Sequence, residues 1–157
     1  MPSSLTLDNL ALIYPHKMDR IPAPLFLTWA DLGQQYGQAQ IRSLAYLGDG
    51  IALAGTYPDG KILRSTNYGL TWADLGQQYG QTYIISLAYL GDGIALAGTN
   101  PDGKILRSTN YGLTWADLGQ QYAQSWIYSL AYLGDGIALA GTGTAGKILR
   151  STPPNLT

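Results

Sequence analysis

Glutamate and cysteine are both missing from the 157 residues, and the chain holds one histidine, one phenylalanine and two methionines. Without cysteine there is no disulfide, no thiolate nucleophile and no thiolate metal site, and the redox compartment stays undetermined. All ten acidic residues are aspartates, so helix-favouring charged residues are scarce. Long apolar runs are also lacking. Asp8, His16, Lys17, Asp19 and Arg20 interrupt Met1–Pro24, which reads as neither a secretory leader nor a membrane span, and a soluble protein is expected. The nine basic residues are spread evenly and the net charge is −1, so neither nucleic acid nor an anionic membrane is an expected partner.

What the chain does contain is 46% hydrophobic residues and 20 glycines, a composition that suits short strands joined by tight turns around one packed core. It also contains a repeat: Trp29, Trp72 and Trp115 recur every 43 residues, the period of one propeller blade. Residues 27–69 and 70–112 differ at four positions, and 113–152 differ from the second copy at seven. Such closeness points to recent amplification or to design.

Within one period, Ile84–Leu90, Ile94–Thr99, Lys104–Thr109 and Leu113–Gly119 read as four strands, A to D, separated by glycine-rich breaks. Gly91-Asp92-Gly93 and Pro101-Asp102-Gly103 are hairpin turns, with glycine supplying positive φ. Strand B alternates Ile94 and Leu96 with Ala95 and Ala97, giving one bulky and one small face through which sheets can interlock. The C–D break reads Ser65-Thr66-Asn67-Tyr68-Gly69-Leu70-Thr71-Trp72 and recurs at Ser108–Trp115. This resembles the Asp-box, Ser-x-Asp-x-Gly-x-Thr-Trp, of the BNR or sialidase-like propellers, across roughly residues 27–152. Asn67 and Asn110 stand where the family has aspartate. The resemblance implies a folding role for Asn67, Asn110, Trp72 and Trp115: the polar side chain satisfies turn amides and the tryptophan packs into the blade. The run Gly60-Lys61-Ile62-Leu63-Arg64-Ser65-Thr66 also looks like repeats of photosystem II assembly-factor propellers.

These features predict an all-β chain: residues 1–24 form an arm outside the repeat, and residues 25–157 form three four-stranded propeller blades. Leu27–Gly33 reads as a lone D strand and Lys147–Thr152 as a C strand without one. Three blades fall below the usual four to eight, so the ring is expected to close by self-association. A homodimer would give six blades, each N-terminal D strand completing the other chain's last blade; a nine-blade trimer is the wider option. The β-trefoil, also threefold and four-stranded per repeat, is the rival fold.

The search for chemistry returns little. A sialidase-like hydrolase needs an arginine trio, a tyrosine paired with glutamate and an aspartate acid, and glutamate is absent. Arg64, Arg107 and Arg150 occupy one repeat position and read as surface or inter-blade arginines paired with an aspartate such as Asp74. The lone His16 leaves the serines without a base. Asp49, Asp92 and Asp135 give one carboxylate per turn, too few for calcium. Asn155-Leu156-Thr157 has a glycosylation pattern at the chain end and reads as chance. The Gly-Gln-Gln-Tyr-Gly-Gln segment around Tyr79 reads as an exposed outer strand. No catalysis, cofactor or metal is expected.

One pattern points past architecture. The repeats differ chiefly in the D–A connection and the B–C turn, which share one face of a propeller, and the differences introduce rings. The candidate ligand-binding residues are Tyr57, Tyr83, Trp126 and Tyr128, with Arg42 and Asn100. Amphipathic rings suit sugar faces and protein hot spots, so a non-catalytic module for a glycan or protein surface is expected. The alternative is a purely structural or engineered scaffold, whose loops vary because they touch little of the core.

Overall fold

The computed structural model describes residues 28–152. The chain divides into two units, Met1–Asp31 and Leu32–Thr157, and the described strands all lie in the second. The arm expected at residues 1–24 and the tail at 153–157 lie outside the described residues. Eleven strands follow in order: β1 (Gln40–Gly48), β2 (Ile51–Tyr57), β3 (Lys61–Ser65), β4 (Ala73–Gln77), β5 (Tyr83–Gly91), β6 (Ile94–Asn100), β7 (Lys104–Ser108), β8 (Ala116–Gln120), β9 (Ile127–Gly134), β10 (Ile137–Thr142) and β11 (Ile148–Arg150). They form the antiparallel meanders β1-β2-β3-β4, β5-β6-β7-β8 and β9-β10-β11. Each sheet is one blade, and the separate consecutive meanders are those of a propeller rather than a trefoil.

The described part of the third blade has three strands, and residues 28–33 form no strand. The D strands begin later than the sequence suggests, at Ala73 and Ala116. The box turn takes the intervening residues. Asn67 Oδ1 accepts from Thr71 N at 3.0 Å, Ser65 Oγ accepts from Gly69 N at 2.9 Å, and Leu70 N donates to Asn67 O. Ser108 and Asn110 repeat these bonds. Trp115 is half-buried against the core and donates to Gly112 O at 3.0 Å, which is how the turn and the blade are tied together.

The core runs through the first two blades on Leu47, Leu53, Ile62, Ile84, Ala95, Ala97 and Leu106. Blades stack with β1 and β2 against β5, and β5 and β6 against β9. The small positions of strand B make this possible. A Cβ on Gly55 would lie 2.5 Å from Ile84 O, and one on Gly98 would lie 2.7 Å from Ile127 O, so both must be glycine. Beside them Ser43 Oγ donates to Ile84 O at 3.4 Å and Ser86 Oγ to Ile127 O at 2.9 Å. Each blade therefore touches the next backbone to side chain with no space for a methyl group.

Within each complete blade an ion pair ties strand C to strand D, Lys61–Asp74 and Lys104–Asp117, both at 2.8 Å. Burial alone would push the two carboxyls up. The lysine ammonium and the Gly76 or Gly119 amide outweigh it and hold both below the ordinary carboxylate value. A folded value below the unfolded one contributes stability at neutral pH that is lost as the pH falls through the folded value. The denaturation midpoint is thus expected to decline below about pH 4, and Asp74→Asn with Asp117→Asn to flatten that decline. A decline unchanged in the double variant would place the acid sensitivity elsewhere.

Candidate functional site

The D–A connection is built by the segment read above as an outer strand. After β4 the chain makes a tight turn with Tyr79 at φ 48°, and Gln81 turns fully inward. Gln81 Oε1 accepts from Thr99 Oγ1 at 3.0 Å and from Asp102 N at 3.2 Å, while its Nε2 donates to Asp102 Oδ2 at 2.8 Å. Gln38 grips Thr56 and Asp59 in the same way. The glutamine thus clamps the B–C turn of its blade, and its own backbone carbonyl sits where a Cβ on Gly60 of the preceding blade would fall. One side chain fixes both loop families that carry the variable positions. In the third blade Ala145 replaces the aspartate, and the buried Gln124 Oε1 has no partner among the described residues.

On this framework the variable rings come together into one ladder across three blades. Tyr57, at the end of β2, stacks on Tyr83, at the start of β5, with centroids 4.1 Å apart and planes 15° from parallel. Tyr83 tilts against Trp126 at 5.5 Å, and Trp126 stacks on Tyr128 at 5.2 Å. Arg42 projects from β1 over the Tyr83 ring, 5.3 Å from its centroid. The Tyr57 hydroxyl is the main cause holding the Tyr83 phenol above its ordinary value, so the ring carries a proton at neutral pH. Asn100 does not join the ladder surface: it is buried, and its Nδ2 donates to Ser125 O at 3.3 Å. It braces the connection beneath Trp126.

Register explains why the rings interleave. Tyr83 pairs with Asn100 and Gln40 with Tyr57, so blade 1 supplies its ring from strand B and blade 2 from strand A, and the two meet across the gap. In the third blade Gly143 takes the Tyr57 and Asn100 position. A Cβ there would lie 2.4 Å from Tyr128 Cε2 and 2.9 Å from Trp126 Cβ. The glycine is what lets Tyr128 lie down at the end of the ladder, half exposed.

The arginine trio does not converge. Arg64 Nε donates to Tyr111 O in the next blade at 2.9 Å, Arg107 lies on β7 and Arg150 on β11. The inter-blade role expected for this position holds for Arg64, but Asp74 is not its partner. That carboxylate belongs to Lys61 at 2.8 Å: Asp74 pairs with Leu63, whose face Lys61 shares and the adjacent Arg64 does not. Asp49, Asp92 and Asp135 sit at φ 50° in their turns, and among the described residues no three His, Cys, Asp or Glu side chains gather around a common point. A cleft of about 190 Å³ beside the first box, bordered by Arg64, Thr66 and Trp72, holds no carboxylate pair.

No family model and no curated protein matches the chain. Among solved structures it is similar to "YCF48 bound to D1 peptide", with a TM-score of 0.60 and 18% identity over 74% of this chain and 38% of that one. YCF48 from Cyanidioschyzon merolae gives 0.56 and 18%, over 74% and 35%. The chain therefore spans little more than a third of the length of these structures. Likeness at this identity establishes the architecture, and the chain has the β-propeller fold.

Proposed function

We propose that the chain is a non-catalytic binding module whose ladder face takes an extended segment of another protein. The observation that carries this is the continuous stack Tyr57–Tyr83–Trp126–Tyr128 with Arg42 over it. The inner rings, Tyr83 and Trp126, spend their faces on their neighbours and on Arg42. A sugar needs a free ring face, which the end rings Tyr57 and Tyr128 alone could offer, and Tyr128 is the more exposed of the two. A polypeptide can lay apolar side chains between ring edges, give backbone amides to phenol oxygens and place a carboxylate on Arg42. The fold neighbour titled as bound to a D1 peptide supports a peptide over a glycan. A glycan at Tyr128 is the second reading, favoured by its half-exposed ring.

Selection of a random peptide library on the wild type, counter-selected on Tyr83→Ala/Trp126→Ala, tests this. Both residues lie outside the core cluster, so the variant should keep its sheet spectrum. Peptides retained by the wild type are expected to lose at least about tenfold in affinity, the equivalent of one 1.4 kcal/mol step. No peptide enriched on the wild type over the variant, with a glycan array positive at Tyr128, would transfer the site to sugars.

A further inference from the structure

The two outer faces of the described blades carry the same residues that the internal blade junctions bury. On the forward side of blades 1 and 2, Gly55 and Gly98 receive Ile84 and Ile127, and Ser43 and Ser86 donate to the carbonyls of those isoleucines. Among the described residues nothing occupies the same side of blade 3. A Cβ on Gly141 would meet only the Ser129 side chain, and Ser129 Oγ reaches no acceptor among the described residues. Gly146 has open space where Gly60 and Gly103 meet a glutamine carbonyl at 2.2 Å. Ile148 is 78% exposed, whereas its counterpart Ile62 is fully buried.

The rearward side of blade 1 is the complement. Ile41 is the counterpart of the fully buried Ile84 and Ile127 and is 44% exposed; Leu44 is 67% exposed. A cleft of about 220 Å³ opens there, lined by Leu32, Ile41, Leu44, Ala54, Leu63 and Trp72. The connection that should cover a neighbour's B–C turn is already formed. Gln34 Nε2 donates to Gln38 O and Gln35 Nε2 to Leu32 O and Gly33 O, as Gln77 and Gln78 do at the next junction.

We propose that a second copy of this chain occupies both ends. Ile41 of the second copy seats on Gly141, Ser129 Oγ donates to the Ile41 carbonyl, and the Gln38 connection of the second copy covers Gly146. The same contact forms again at the other end, so two copies close a six-blade ring, within the range that propellers use. What commits the faces to this occupant is that they continue an interface the chain already makes twice within itself. The contact needs no exchange of strands: the residues that carry it lie in the connections and on the sheet faces of each blade array.

Light scattering on the full chain is expected to give the mass of two chains. Gly141→Val, which internal geometry shows to be tolerable only where no neighbour sits, is expected to halve that mass with an unchanged far-ultraviolet spectrum. Ile41→Asp, at the opposite end, should do the same and carries the test if the valine variant fails to fold. Mixing the two variants should restore a two-chain particle, since each retains the end the other has lost. A single-chain or three-chain mass for the wild type, a wild-type mass in both variants, or a mixture that stays single-chain would each overturn the proposal.

Discussion

Gly98→Val is expected to lower the denaturation free energy of the blade array by about 4 kcal/mol or more and to detach the third blade from the second. The added Cβ would stand 2.3 Å from Ser86 Oγ, 2.6 Å from Ile127 Cγ2 and 2.7 Å from Ile127 O. The serine can rotate, but the isoleucine carbonyl is backbone and its side chain is fully buried, so relief requires the third blade to withdraw from the second. Withdrawal strips Ile127 of its seat and breaks the 2.9 Å bond from Ser86. Overpacking and the lost contacts together should cost about 4 kcal/mol or more, close to the whole stability of a small domain. The chemically identical change at Gly141 meets one movable exposed side chain and should leave the fold intact. A Gly98→Val chain with the wild-type denaturation midpoint would mean that the blades are not in the contact described.

The architecture was legible because each level of the sequence repeated the same message. The 43-residue period, the glycine turns and the small-and-large alternation of strand B all pointed to four-stranded blades. The ladder residues were legible for a different reason: near-identity of the copies turned every difference into a signal. What the sequence did not reveal was contact. Nothing in Tyr57 and Tyr83, on different strands of different blades, marks them as stacked, because their meeting depends on register and on the width of the gap between sheets. Asn100 differed between copies as the rings do, yet its short amide reaches a backbone carbonyl instead of the surface. Gln81 carries no such mark, because glutamine in a glycine-rich loop has the composition of an exposed segment. Its burial follows from the neighbouring B–C turn, whose amide and carboxylate need exactly one donor–acceptor side chain between them. The signal available is that Gln38, Gln81 and Gln124 stay unchanged between two positions that vary, Gly37/Gly80/Ala123 and Ala39/Thr82/Ser125.

Gln81→Leu and Gln124→Leu, the same change at matching places in two blades, are expected to differ in cost. Gln81→Leu keeps the volume and removes four bonds: from Thr99 Oγ1 and Asp102 N, and to Asp102 Oδ2 and Tyr79 O. The Asp102 carboxylate is exposed and can turn to water, and Thr99 Oγ1 keeps its bond to Lys104 O. The Asp102 amide and the Tyr79 carbonyl lose their partner, and leaving part-buried groups of this kind unmatched costs toward the lower end of about 1–3 kcal/mol each. The expected loss is about 3 kcal/mol in denaturation free energy. At the matching place in blade 3, among the described residues, Gln124 Oε1 already lacks a partner and Nε2 makes one bond, to Tyr122 O at 3.1 Å. Gln124→Leu removes that bond and also the burial of an unsatisfied oxygen, so the two changes offset and the loss should stay below about 1 kcal/mol. The difference, measured by denaturant midpoints at equal slope, isolates the clamp from the packing of the loop. Equal losses at both positions would show that the glutamine acts by filling space. In that case the B–C turns bearing Tyr57 and Asn100 would owe their position to packing, and the ladder would not depend on the clamp.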